Sequence, residues 1–87
     1  MRTQEQIAQA AQKKGIAFRV CFRNEGYAYP HMEILMTSKY DCRCNWFNLN
    51  EDGTVRCDYG YPTKAMRNFA ERLFYRCSDL HECDWTF

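Results

Sequence analysis

No long apolar run occurs anywhere in this sequence. A secretory signal needs an apolar run of about 7–15 residues near the start of a chain, and the residues that follow Met1 are polar. A membrane-spanning helix needs about 18 consecutive apolar residues. We therefore expect a cytoplasmic protein with no membrane partner. Cysteines in that reducing compartment are expected to be thiols unless a metal holds them.

Neither sign of charge is in excess. Twelve Lys and Arg residues stand against eleven Asp and Glu residues, which gives a formal net charge of +1. Nucleic-acid-binding domains are typically strongly basic, and proteins that mimic DNA are strongly acidic. The charge balance therefore favours a protein partner, with nucleic acid as an alternative.

Patterns that carry catalysis are also missing. The sequence has no paired carboxylates, no phosphate-binding glycine loop and no C-x-x-C redox pair. Its four glycines fall at the ends of predicted elements, where turn geometry accounts for them. We therefore expect a protein that is not an enzyme and needs no cofactor.

Zinc-knuckle spacing is absent among the six cysteines. Structural zinc sites separate two cysteines by two to four intervening residues, because the turn between them directs both sulfurs at one ion. Cys42 and Cys44 are separated by a single residue and fall in a predicted strand. We therefore expect no metal, with a small zinc-stabilised module as an alternative. Its candidate ligands are Cys77, His81 and Cys83, with Cys57 or His31 as a fourth.

Burial is the main interpretation of these cysteines. Cysteine is among the most buried residue types and packs as a small apolar side chain. Disulfides between Cys44 and Cys57 or between Cys77 and Cys83 are an alternative that the expected compartment disfavours. Catalysis by a cysteine needs a neighbouring base, and no nucleophile motif is present.

Two amphipathic segments predict helices. The pattern Thr3-x-x-Gln6 is a capping box, and Gly15 suits a left-handed C-terminal cap, so a helix is predicted over about residues 4–14. Pro62 suits the first turn of a second helix. Apolar residues at spacings of three and four extend that helix over about residues 63–77.

Alternation of apolar and polar residues predicts four strands. A turn is predicted at residues 24–26, and the loop continues to His31. Asn50–Gly53 is a hairpin signal between the last two strands. The predicted strands cover residues 16–23, about 32–38, 42–49 and 54–60.

Side-chain parity assigns the two faces of the predicted hairpin. A two-residue turn and a four-residue loop both leave the same side chains on the same face. The more charged set is expected to face water, so the cysteines and Trp46 are expected in the core. The core set is Cys42, Cys44, Trp46, Val55, Cys57 and Tyr59. The outward set is Arg43, Asn45, Phe47, Thr54, Arg56 and Asp58.

These elements predict an α+β two-layer sandwich in the order α-β-β-β-β-α. An antiparallel sheet of about four strands is covered on one face by the two helices. The chain is predicted to be one domain over residues 1–87, with an acidic, aromatic tail at residues 78–87. The tail is expected to dock either on this chain or on a partner.

The outward face of the sheet is the predicted binding surface. It mixes arginine with aromatic and aliphatic side chains, which is typical of a protein-interface hot spot and also suits single-stranded nucleic acid. An ordinary solvated face is the plainer alternative. The predicted partner-binding residues are Arg19, Arg23, Leu35, Arg43, Phe47, Leu49 and Arg56. A secondary basic stripe on the last helix consists of Lys64, Arg67, Arg72 and Arg76.

The order of the elements loosely resembles the double-stranded-RNA-binding domain. That family begins its last helix with a cluster of lysines that contact phosphates, and only Lys64 stands there in this sequence. In length and type of fold the chain is also similar to small phage-encoded inhibitors of host enzymes, anti-CRISPR proteins among them. Neither resemblance assigns a role to any residue.

The sequence predicts a small non-enzymatic binding protein that inhibits or modulates a larger macromolecule by covering part of its surface. Its most specific form is a phage or mobile-element inhibitor of a nucleic-acid-processing or defence complex, acting in the host-cell cytosol. The expected partner is a protein, such as a host enzyme or complex. The first alternative is a nucleic-acid-binding module that uses the arginine and aromatic side chains of the sheet together with the basic stripe of the last helix.

Overall fold

The computed structural model describes residues 2–24, 30–77 and 79–87 of the 87-residue chain. Within these residues the chain forms two helices and a five-stranded antiparallel sheet, so the predicted α+β class is confirmed. Most of the turn predicted at residues 24–26, the loop up to Tyr29, and Ser78 of the tail lie outside the described residues. The elements are α1 (Gln4–Lys13), β1 (Ile16–Arg23), β2 (His31–Ser38), β3 (Asp41–Leu49), β4 (Val55–Tyr59), α2 (Lys64–Arg76) and β5 (Cys83–Trp85).

Both helices begin at threonine caps. The Thr3 hydroxyl accepts a hydrogen bond from the Gln6 amide over 3.2 Å, and the Gln6 side chain accepts one from the Thr3 amide over 3.0 Å. The predicted capping box of α1 is therefore confirmed. At α2 the Thr63 hydroxyl accepts from the Met66 amide over 3.2 Å. Neither described helix combines the length and the apolar composition needed to cross a membrane.

The tail supplies the strand that the sequence analysis did not predict. β5 pairs antiparallel with β1, with Trp85 opposite Phe18 and Cys83 opposite Val20. The strand order is β4-β3-β2-β1-β5, so the tail forms one edge of the sheet. The tail therefore docks on this chain, which is one of the two options that the sequence left open.

Both helices pack on the same face of the sheet and enclose the core with it. The apolar stripes of α1 and α2 contact the inward side chains of β1, β2 and β3. Full burial of one such side chain contributes roughly 1.5–3 kcal/mol. The other face of the sheet is called the outer face below. The core contains Ile7, Ala8, Ala11, Phe18, Val20, Ile34, Met36, Phe47, Met66, Phe69, Ala70 and Leu73.

The turn between β3 and β4 has a length that the sequence analysis did not consider. The Asn50 amide donates to the Thr54 carbonyl over 2.8 Å, and the Gly53 amide donates to the Asn50 carbonyl over 3.0 Å. Gly53 has φ of +89°, as in a three-residue hairpin loop that ends in a left-handed glycine. Leu49 consequently lies opposite Val55.

This register reverses the predicted orientation of β3. An odd loop, compared with the even loops that were expected, exchanges the two faces of one strand relative to its partner. Phe47 is fully buried opposite Ile34, and Trp46 lies on the outer face with Cys44. The predicted core positions of Cys42, Cys44 and Trp46 are wrong, as are the predicted outward positions of Asn45 and Phe47. Asn45 is 3% exposed and belongs to the helix-facing side.

The predicted faces of β4 are mostly right. Val55 and Cys57 pack against the core as expected, and Arg56 and Asp58 lie on the outer face. A register shift between Trp46 and Phe47 places Tyr59 opposite Trp46, so Tyr59 also lies on the outer face and 67% of it is exposed. Its predicted core position is therefore wrong.

A buried glutamine holds the segment between α2 and β5. Only 1% of Gln4 is exposed. Its side-chain amide donates to the His81 carbonyl over 2.8 Å and to Cys83 Sγ over 2.6 Å, and its side-chain oxygen accepts from the His81 amide over 2.8 Å. The Gln4 backbone amide donates to Asp79 Oδ1 over 3.1 Å. The start of α1 is thus tied to the chain that follows α2.

Replacing Gln4→Ala should destabilise the protein by about 1–3 kcal/mol, because it removes a buried side chain that makes three hydrogen bonds to partly buried groups of the tail segment. Urea denaturation measures this change in the free energy of unfolding. The matched control is Gln9→Ala, which removes an exposed glutamine from the same helix and should change stability by less than about 0.5 kcal/mol. Equal effects of the two substitutions would contradict the role assigned to Gln4.

The cysteines should differ widely in their rates of alkylation. Cys42 is exposed, whereas Cys77 is buried; burial, together with its hydrogen bond to Asp79, raises the pKa of the Cys77 thiol to about 11. At pH 8 the reactive thiolate of Cys77 is then ~100-fold scarcer than for an ordinary thiol. A time course with iodoacetamide, followed by peptide mass spectrometry, should show Cys42 modified early and Cys77 last. Equal alkylation rates of Cys42 and Cys77 in the folded protein would overturn this assignment. As the control, the two rates should become equal when the protein is unfolded in urea.

Candidate binding surface

One row of side chains crosses the entire outer face. Backbone pairing aligns one residue from each strand, and all five side chains project from the same side of the sheet. The row combines an ion pair at one edge with apolar and aromatic side chains toward the other. We call it the cross-strand row. It consists of Asp84, Arg19, Leu35, Trp46 and Tyr59.

The structure brings four of the seven predicted partner-binding residues to the outer face. They are Arg19, Arg23, Leu35 and Arg56.

The other three predicted residues lie elsewhere. Phe47 has no exposed surface, so its predicted contact with a partner is wrong. Leu49 ends β3 on the helix-facing side and is 39% exposed. Arg43 is exposed near the start of β3, where its guanidinium pairs with Asp41.

Sequence reasoning missed Trp46 and Tyr59 because of the hairpin register. Gly53 was the signal that could have identified them, since glycine at the third loop position suits a three-residue hairpin loop as well as a two-residue turn. Burying Trp46 would also have required a partner for its indole N–H, a requirement that Phe47 does not have. These two considerations together favour the observed register.

The aromatic surface continues beyond the row to the edge of β4. Tyr61 follows β4 and is 85% exposed. Together with Arg43, Cys44, Cys57 and Tyr59 it lines a hollow of about 510 Å³. The aromatic surface thus runs from half-buried Trp46 to the exposed tyrosines at the β4 edge.

The four arginines predicted to bind a partner are each neutralised by a carboxylate. The pairs of Arg19, Arg43 and Arg56 are exposed and contribute little to stability, whereas Glu33, the partner of Arg23, is buried. All four pairs cancel most of the positive field of the arginines. Burial raises the pKa of Asp58, but hydrogen bonds from Arg56 and Asn48 outweigh it and leave that pKa below its ordinary value. The pairs are Arg19–Asp84 at 2.7 Å, Arg23–Glu33 at 3.0 Å, Arg43–Asp41 at 2.5 Å and Arg56–Asp58 at 2.6 Å.

Glu33 is the centre of a polar cluster beside Trp46. Only 8% of Glu33 is exposed, and its carboxylate accepts hydrogen bonds from Arg23 Nε and His31 Nε2, each over 3.0 Å. The Arg23 guanidinium lies 5.5 Å from the centre of the Trp46 ring, a cation–π distance. Burial raises the pKa of Glu33, but the hydrogen bonds from His31 and Arg23 outweigh it and lower that pKa. The cluster therefore fixes the position of Arg23 against the indole ring.

The candidate zinc ligands have other partners. Cys77 Sγ donates to Asp79 Oδ1 over 2.7 Å, Cys83 Sγ accepts from Gln4, and His81 Nδ1 lies 2.8 Å from the Asp79 carbonyl. In the part of the chain that the structure describes, no three His, Cys, Asp or Glu side chains are grouped so that they can hold a metal ion. All six cysteines are free thiols, so neither suggested disulfide forms. The cysteines were expected to be buried, but only Cys77 is; Cys42 is exposed and the other four are half-buried.

Acid should weaken the fold through Glu33. Because its pKa is lowered in the folded state, the carboxylate stabilises the protein above its ordinary pKa, and this stability is lost as the pH falls through the lowered value. Glu33→Gln should therefore cost roughly 1–3 kcal/mol at pH 7 and flatten the pH dependence of stability below about pH 5. Urea denaturation between pH 3 and 7 measures both effects.

The control for this prediction is Glu71→Gln, which neutralises an exposed carboxylate on α2. Its stability should follow that of the original protein at every pH. A Glu33→Gln curve that runs parallel to the curve of the original protein would contradict the role of the carboxylate.

Comparison with models of protein families, with curated proteins and with solved structures finds no match for this chain.

Proposed function

We propose that this chain is a non-enzymatic binding domain that docks its outer face against a protein and modulates that protein by covering part of its surface. The observation that supports this proposal most directly is the cross-strand row, which places Leu35, Trp46 and Tyr59 side by side on the face opposite the helices. Tryptophan, tyrosine and arginine are the residues most enriched at the energetic centres of protein interfaces.

The charges of the outer face support a protein partner over nucleic acid. The three predicted contact arginines on this face, Arg19, Arg23 and Arg56, already pair with carboxylates. Phosphate binding gains affinity from unneutralised cations that release counterions, and a surface of matched pairs offers little of that. The centre of a protein interface, by contrast, combines aromatic anchors and arginine with few unmatched charges.

The anchors of the row are held in place before any partner arrives. Leu35 and Trp46 lie on β2 and β3, the inner strands of the sheet, and Arg23 and Glu33 fix one side of the indole. Side chains that are already ordered lose less conformational entropy on binding. A standard protein interface covers about 800 Å² on each partner, a modest share of the 5753 Å² surface of this chain.

Occlusion of a partner surface is the mode of action that this proposal implies. In the most specific form of the proposal, the chain is a phage or mobile-element inhibitor. Its partner is then a host enzyme or a nucleic-acid-processing or defence complex. The cross-strand row would then cover a functional surface of that complex.

The test compares two tyrosines of opposite faces. Tyr59→Ala removes an anchor of the row, and Tyr75→Ala removes a tyrosine from α2 that is 49% exposed. The original protein and each variant are immobilised on a resin and incubated with extract of the native host. The proteins that each resin captures are identified by mass spectrometry. The purified partner is then titrated against each variant by calorimetry.

Tyr59→Ala should weaken binding of that partner about 10- to 100-fold, as expected for an interface anchor. Tyr75→Ala should leave the affinity within about twofold. The proposal fails if the partner binds the Tyr59→Ala variant as tightly as the original protein. It also fails if only the Tyr75→Ala variant loses the partner.

A further inference from the structure

The two helices form a groove on the side of the molecule opposite the outer face. The start of α1 contacts the segment that follows α2, since the Gln4 amide donates to Asp79, so the helices lie antiparallel. Basic side chains from both helices and from residues next to α1 line the groove between them. We call it the helix groove. Its cations are Arg2, Lys13, Lys14, Arg72 and Arg76.

The helix groove has the opposite electrostatic character to the outer face. No Asp or Glu is among the described residues that line it. Within the described part of the chain, none of its five cations forms a salt bridge. The small net charge of +1 therefore conceals a division between a neutralised sheet face and a cationic helix face.

The remaining lining of the groove combines uncharged amides with apolar side chains that are mostly small or buried. Gln6, Gln9 and Asn68 provide amide N–H donors without charge. The apolar lining consists of alanines and of two buried side chains, Ile7 with no exposed surface and Phe69 with 3%. Tyr75 lies near Arg76 at one end of the groove. Among the described residues that line the groove, it is the one large aromatic side chain with substantial exposure.

We propose that the helix groove binds the phosphate backbone of a nucleic-acid duplex. Cations and uncharged amides are the side chains that contact phosphate and sugar oxygens. The ten residues of α1 extend over about 15 Å, which matches about four phosphates along one strand of a duplex.

Two features separate a duplex from other occupants. Single strands bind on a series of exposed aromatic side chains, and the described lining of the groove offers only Tyr75. A protein segment needs several large apolar or aromatic anchors; Tyr75 is one, but Ile7 and Phe69 are buried and the rest of the apolar lining is alanine.

This site is independent of the proposed protein-binding face, because the two surfaces lie on opposite sides of the sheet. Both can be occupied at once. A domain that binds a duplex with its helices and a protein with its sheet would lie at the contact between a protein complex and the nucleic acid that the complex binds.

The experiment measures anisotropy of a fluorescein-labelled 20-base-pair duplex of random sequence at 50–200 mM salt. Four to five phosphate contacts should weaken binding about 150- to 500-fold over that range, from a slope of about −0.9 per contact. The double variant Lys13→Gln and Arg72→Gln should lower the slope by about 1.8 and weaken binding at least tenfold at 50 mM salt. The control, Lys39→Gln with Arg67→Gln, removes two exposed charges that do not line the groove and should weaken binding less than threefold.

Three results would overturn the proposal. They are no duplex binding at 50 mM salt, equal losses in the groove and control variants, and tighter binding of a dT20 single strand or of polyglutamate than of the duplex. Circular dichroism and thermal melting verify that each variant is folded. Tyr59→Ala should retain duplex binding whether or not the proposed protein interface exists, so the two proposals succeed or fail separately.

Discussion

A single backbone register between β3 and β4 determines which side chains this protein buries and which it presents. The hydrogen bond from the Asn50 amide to the Thr54 carbonyl closes a three-residue loop, and Gly53 adopts the left-handed conformation that this loop requires. Phe47 consequently enters the core, and Trp46 takes its place on the outer face. A change of one residue in loop length would exchange these two aromatic side chains, since strand side chains alternate with a period of two.

The distribution of charge follows from how the strands and helices are arranged. On the outer face, arginines lie next to carboxylates, either across strands, as Arg23 and Glu33 do, or two residues apart on one strand, as Arg56 and Asp58 do. On the other side, both helices direct basic and amide side chains into the groove between them. A chain that is almost neutral overall therefore presents one aromatic, charge-matched surface and one cationic surface. These surfaces suit different classes of partner, which the composition alone cannot reveal because it sums over both.

Local signals in the sequence were sufficient for most of the fold. Capping by Thr3 and Gln6 located α1, the alternation through Phe18 and Val20 located β1, and the apolar stripe of α2 indicated two helices over one sheet face. β5 escaped prediction because a three-residue strand has too few alternations to be recognised, and because it depends on pairing with β1 and on the distant side chain of Gln4. Four outer-face residues were identified correctly. Trp46 was missed because the length of the turn, rather than residue composition, determines which side chains of β3 face outward. Only part of the groove could be predicted from the sequence. The spacing of Arg72 and Arg76 places them on one face of α2, but only tertiary packing brings Arg2 and Lys13 near them.

The central claim is the register of the β3–β4 hairpin, and a two-dimensional NOE spectrum of the labelled protein tests it most directly. Asn50 and Thr54 form a hydrogen-bonded pair, so the next pair along the hairpin, Leu49 and Val55, is not hydrogen-bonded and brings its two Hα atoms close together. The account predicts a strong Hα–Hα cross-peak between Leu49 and Val55. A cross-peak that instead places Leu49 opposite Thr54 would contradict it, because Trp46 would then belong to the core and the proposed binding face would lose its anchor.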